Sequence, residues 1–113
     1  IGDVDADGFA DVLQVGSTAP KLYVNDGAGG FTERQSPWNI GVMSSPAVGC
    51  AFADMDADGH VDVFFSGALN SEVWRNTGSL LEAYADVAVA AAGGVWGDVD
   101  GDSDVDLLVF TGS

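Results

Sequence analysis

The chain has 113 residues, and its 18 acidic against three basic side chains give a formal charge of −15, which argues against nucleic acid or an anionic membrane surface as partner. A hydrophobic content of 47% is enough for a core, no apolar run is long enough to span a membrane, and the lone Cys50 excludes an internal disulfide. The chain opens with Ile1-Gly2 and no initiator Met, which reads as a processed or excised segment.

In chain order, the first element is an acidic loop, Asp3-Val4-Asp5-Ala6-Asp7-Gly8-Phe9-Ala10-Asp11. Residues 11–16 then read as a short buried strand ending at a glycine, and Lys21 to Val24 alternates as a half-exposed strand should. Asn25-Asp26-Gly27-Ala28-Gly29-Gly30 is a hairpin connection, after which Phe31 to Gln35 alternates again. Asn39 to Pro46 is a longer connection. The cycle restarts with the apolar strand Ala47 to Ala53 and a second loop, Asp54-Met55-Asp56-Ala57-Asp58-Gly59-His60-Val61-Asp62. Strands over 63–67 and 72–75 follow, joined to an outer strand over 82–87 by Asn76-Thr77-Gly78. The alanines of 80–92 would also suit a helical turn, but the repeat favours a strand. Gly94 to Gly97, a third loop (Asp98-Val99-Asp100-Gly101-Asp102-Ser103-Asp104-Val105-Asp106) and a strand over 105–110 complete the chain.

The loops begin at residues 3, 54 and 98, a spacing at which each repeat is a small sheet. The expected fold is all-β: propeller-type blades made of four-stranded antiparallel meanders, about two and a half in this chain. The units are 1–46 (lacking the first strand), 47–92 (complete) and 93–113 (half a unit).

Each loop places carboxylates at positions 1, 3, 5 and 9: Asp3, Asp5, Asp7 and Asp11; Asp54, Asp56, Asp58 and Asp62; Asp98, Asp100, Asp102 and Asp106. Four hard oxygen donors wrapped by one turn can surround Ca²⁺, whereas without a cation each close carboxylate pair repels by roughly 1 kcal/mol. Position 7 is expected to add a backbone carbonyl from Phe9, His60 or Asp104, leaving the His60 side chain an exposed bystander. Up to three Ca²⁺ ions are expected. Gly at position 6 permits a left-handed closing turn, so Ser103 in the third loop is expected to cost about 1 kcal/mol. The middle loop, in the one complete unit, is expected to be the most rigid and most reliably occupied. An EF-hand is excluded, because position 12 holds Gln14, Phe65 or Val109 in place of Glu and the flanks are rich in β-formers.

With these loops, the apolar run after each, and Leu22-Tyr23-Val24-Asn25-Asp26-Gly27-Ala28-Gly29-Gly30-Phe31, the chain resembles the FG-GAP or VCBS repeats of integrin-like β-propellers. Val73-Trp74-Arg75-Asn76-Thr77-Gly78 is similar to a shortened version of that hairpin signature, and its missing Gly-Gly-Phe leaves the next outer strand poorly fixed. The resemblance implies Ca²⁺ between the first and second strands of each blade. It also implies a secreted or cell-surface protein concerned with adhesion, glycan recognition or scaffolding.

The expected function is a calcium-stabilised extracellular binding or assembly module without catalysis, given one His, one Cys and no nucleophile motif. Its partners would be a protein or glycan ligand, together with further blades from a longer chain or from neighbouring copies. The alternatives are a lectin-like propeller using Trp38 as a sugar-stacking residue, and a non-catalytic fragment of a larger secreted enzyme.

Overall fold

A computed structural model of the chain describes residues 1–16, 19–34, 46–87 and 89–111. All regular structure among them is β, as the alternation and turn signals predict. The strands are β1 (Val12–Gln14), β2 (Lys21–Asn25), β3 (Phe31–Glu33), β4 (Ala47–Ala53), β5 (Asp62–Gly67), β6 (Ser71–Asn76), β7 (Leu81–Val87), β8 (Gly93–Gly97) and β9 (Asp106–Phe110). They form three antiparallel sheets with sequential order, β1-β2-β3, β4-β5-β6-β7 and β8-β9. Trp38 and nearly all of the long connection before β4 lie outside the described residues.

The Ala-rich segment is strand, with β7 running antiparallel to β6 from Ser71↔Val87 to Asn76↔Leu81 through a bulge at Val73/Trp74. The expectation of a poorly fixed outer strand fails here, since β7 is longer than β3 despite the missing Gly-Gly-Phe. Backbone pairing along β6 fixes it, together with the burial of Leu81 in the core.

The sheets stack face to face, and the pleat of the second strand in each distributes side chains to the two neighbours. Val63 and Phe65 of β5 join Val4, Leu13, Leu22, Ala47, Trp74 and Leu81 in a core between the first and second sheets. Phe65 and Trp74 meet edge to face there, with ring centroids 6.1 Å apart. Phe64, pointing the other way, joins Val73 and Ala91 in a second core, against which Met55 of the second loop and Trp96, Leu107 and Val109 of the third sheet pack. A Cβ at Gly94 would lie 2.5 Å from the Phe64 ring, so this close approach of β8 requires glycine. The register continues in the third sheet, but its outward residues Val95, Leu108 and Phe110 are exposed.

Each acidic loop joins the first and second strands of its sheet. For the second and third loops these are β4–β5 and β8–β9. For the first loop, the isolated Gly2↔Asp11 bridge replaces the opening strand pair.

Candidate metal centres

The three loops fold by one pattern of backbone-to-carboxylate hydrogen bonds, set by aspartates one turn ahead of the amides they accept. At position 1, Asp3 accepts from the N–H groups of Asp7 (3.1 Å) and Gly8 (2.9 Å). Asp54 does the same with Asp58 and Gly59, and Asp98 with Asp102 and Ser103. At position 5, Asp7, Asp58 and Asp102 each accept the N–H of position 7 at 2.9 Å. These bonds curl the loop so that carboxylates converge. One oxygen from each of Asp3, Asp5 and Asp11 lies within 4.8 Å of the others, as do oxygens of Asp54, Asp56 and Asp58, and of Asp98, Asp100, Asp102 and Asp106.

Of the expected carboxylates, Asp7 and Asp62 fall outside these groups. Asp62 is fully buried, and both its oxygens accept backbone N–H groups, from Met55 (2.9 Å) and Asn76 (2.8 Å). Asp11 is equally buried and makes the equivalent bonds to Val4 (2.7 Å) and Asn25 (2.9 Å), while still turning toward Asp3 and Asp5. Position 9 therefore staples the loop's second residue to the third strand of its blade, which is β2 in the first blade (where the opening strand is lacking) and β6 in the second, and the paired amides offset the cost of burying a carboxylate. In the third loop Asp106 keeps the bond from Val99 (3.1 Å). No third strand is present among the described residues of that sheet to supply the other.

The third-strand partner is an asparagine that the sequence reading passed over, although it stands 14 residues after position 9 in both complete cases. Both asparagines accept the N–H two residues on, Gly27 for Asn25 and Gly78 for Asn76. They differ in where Nδ2 goes: that of Asn25 donates to Ala10 of its own loop at 3.1 Å, whereas the buried Nδ2 of Asn76 donates to the Val4 carbonyl at 2.8 Å, crossing to the first loop. A continuous path thus runs from Asp62 through Asn76 and Val4 to Asp11.

Charge is distributed unequally. In the first loop, burial and the neighbouring Asp11 and Asp7 carboxylates push Asp5 above the ordinary carboxylate range. In the other two, backbone N–H donors hold Asp58 and Asp98 below it, from His60 and Ser103 respectively. Burial raises Asp62, against the pull of its two amide donors. The second loop also contains a cation of its own. Arg75 of β6 places Nη2 2.9 Å from Asp56 Oδ2 and 3.6 Å from Asp58 Oδ2.

Two further expectations change. The His60 side chain is half-buried rather than an exposed bystander, because it packs on Gly78, where a Cβ would lie 2.8 Å from its Nε2. Phe9 packs on Gly27 in the same way, so position 7 seats each of the first two loops on its neighbouring hairpin turn. The left-handed residues are also two per loop. Positions 4 and 6 both have positive φ: Ala6 (60°) and Gly8 (94°), Ala57 (58°) and Gly59 (92°), Gly101 (77°) and Ser103 (75°). The third loop has not lost its glycine but moved it from position 6 to position 4. The strain expected at Ser103 is therefore matched by strain at Ala6 and Ala57 in the other two.

Oxygen donors alone, converging in groups of three or four, can hold a metal ion, and a guanidinium already occupies the cationic role at one of them. No helix among the described residues is long and apolar enough to cross a membrane. No curated protein and no solved structure matches the chain. A family model described as an FG-GAP-like repeat matches residues 3–65, from the first carboxylate of the first loop to the strand leaving the second. That match spans more than half the chain and one whole loop-to-loop period of the structure, and the chain belongs to the FG-GAP-like repeat family.

Proposed function

We infer that the chain is a Ca²⁺-stabilised extracellular module for binding or assembly, with no chemistry of its own. The observation that carries this reading is the triplicate carboxylate cradle, held open by the same backbone donors each time. Calcium suits the donors: hard, anionic, oxygen-only and flexible in number. Asp3, Asp5 and Asp11, Asp54, Asp56 and Asp58, and Asp98, Asp100, Asp102 and Asp106 would supply the side-chain ligands. The position-7 carbonyls of Phe9, His60 and Asp104 would complete each shell. At extracellular affinities of roughly 10⁻⁴ to 10⁻³ M the ion would be structural, coupling binding to folding. The melting midpoint is expected to rise by several degrees in millimolar Ca²⁺ relative to EGTA, and an unchanged midpoint removes this reading.

Assembly is supported by the outward face of the third blade. Leu108 and Phe110 hold the register positions of Leu13 and Val15, which pack in the core shared with the second blade, and Leu108 also holds that of Phe64, which the third blade covers. A further blade, from a longer chain or a neighbouring copy, would cover them in the same way. A protein or glycan ligand belongs to the same proposal. A non-catalytic role is supported by the state of the two conventional reactive groups. Burial pushes the Cys50 thiol up, and His60 is packed on a hairpin turn.

A further inference from the structure

Arg75 sets the second loop apart from its siblings. It lies on β6 directly before Asn76, in register with Val24, which directly precedes Asn25 on β2. The first loop thus has an aliphatic residue where the second has a guanidinium. Among the described residues, neither Lys21, which pairs with Glu33 at 3.9 Å, nor Arg34 makes an ion pair with a loop carboxylate. The two carboxylates Arg75 touches, Asp56 and Asp58, are two of the three that converge in the second cradle. An arginine bound to both cannot stay there while a divalent ion uses the same oxygens, because the ion takes its acceptors and repels its charge. With 39% of its side chain exposed, Arg75 has solvent to swing into.

We propose that Arg75 is a resident counter-cation of the second loop, competing with Ca²⁺ for Asp56 and Asp58, so that the middle site fills last. The proposal rests on the calcium reading above and reverses the expectation that the middle site is the most reliably occupied. Metal-free, the second loop is the one whose charge is already partly neutralised. As calcium rises, the first and third loops fill before it, and the second gains its ion only by releasing the guanidinium. The chain therefore has one site of a different rank built into three nearly identical loops, set by a residue outside the loop.

Calorimetric titration of the intact chain with CaCl₂ tests this in four forms: wild type, Arg75→Gln, Arg75→Lys, and Arg75→Gln with Asp56→Asn. Arg75→Gln is expected to tighten one class of site by at least about fivefold, because two ion pairs and the repulsion of a divalent ion vanish together. Arg75→Lys keeps the charge and is expected to titrate close to wild type, and adding Asp56→Asn is expected to abolish the gain. An Arg75→Gln isotherm that superimposes on wild type overturns the proposal and leaves the calcium reading standing. So does equal tightening by Arg75→Lys. If neither wild type nor Arg75→Gln takes up calcium, and EGTA leaves the melting midpoint unchanged, both readings fall. A measurement on the wild type alone guards against a variant that does not fold. The Arg75 Nε–H resonance is expected to shift with the last calcium equivalent, and a shift with the first, or none at saturation, overturns the proposal.

Discussion

Phe64 and Leu108 occupy the same place in successive repeats, two residues beyond the ninth position of their loops, on second strands with the same register. One is fully buried and the other is 52% exposed. The backbone around them is alike, so the difference lies in what stands next to it: the third blade covers Phe64, and nothing described covers Leu108. In a repeat fold the local sequence builds the blade, and the neighbour decides which residues become core.

The largest expected effect breaks this comparison directly. Phe64→Ala should cost about 3–5 kcal/mol, while Leu108→Ala should change stability by no more than about 0.5 kcal/mol, both read from urea denaturation in calcium buffer. Comparable losses at the two positions would mean that the third blade is already covered in solution.

Next comes the staple. In EGTA, Asp62→Ala strands two backbone amides and should cost about 2–4 kcal/mol by the same assay. Asp106→Ala removes one longer, exposed bond and should cost about 1 kcal/mol or less. A smaller gain is expected from Ser103→Gly, about 0.5 kcal/mol, because it relieves the third loop's non-glycine left-handed residue.

The last effect concerns pH in metal-free solution, followed through the melting midpoint. Asp5 and Asp62 have raised folded-state values, so the destabilisation they impose at neutral pH is relieved as they protonate on acidification. Asp58 and Asp98 have lowered values, so their contribution is present above the ordinary value of 3.8 and is lost as pH falls through their folded-state values. The midpoint should therefore rise as pH falls through the raised values of Asp5 and Asp62, and fall again as pH drops through the lowered values of Asp58 and Asp98. A monotonic profile would show that one class of carboxylate dominates.

The strand order was legible because it rests on short-range signals. Alternation in Lys21 to Val24, the apolar run Ala47 to Ala53 and the glycine-rich hairpins each declare themselves within a few residues. The loops were legible as carboxylate clusters for the same reason. What escaped is what depends on residues brought together by folding. Asp62 looks like any other loop aspartate until Asn76 arrives from 14 residues away, and Arg75 looks like an exposed strand residue until the pairing of β5 with β6 carries it to the loop. The glycine exchange between positions 4 and 6 escaped for a different reason. Only the dihedral angles reveal that position 4 is left-handed, since Ala6 and Ala57 carry no turn signal of their own.

The Asn76 side chain bears on how the molecule comes apart. Through Val4 it joins two loops from different blades, so opening either one breaks a bond that the other relies on. The first two blades are thereby a single cooperative unit, and their junction is an internal seam rather than a boundary. The junction with the third blade is tied by other means, through the core around Phe64 and through Trp96 Nε1 of β8, which donates to the Ala51 carbonyl of β4 at 3.2 Å.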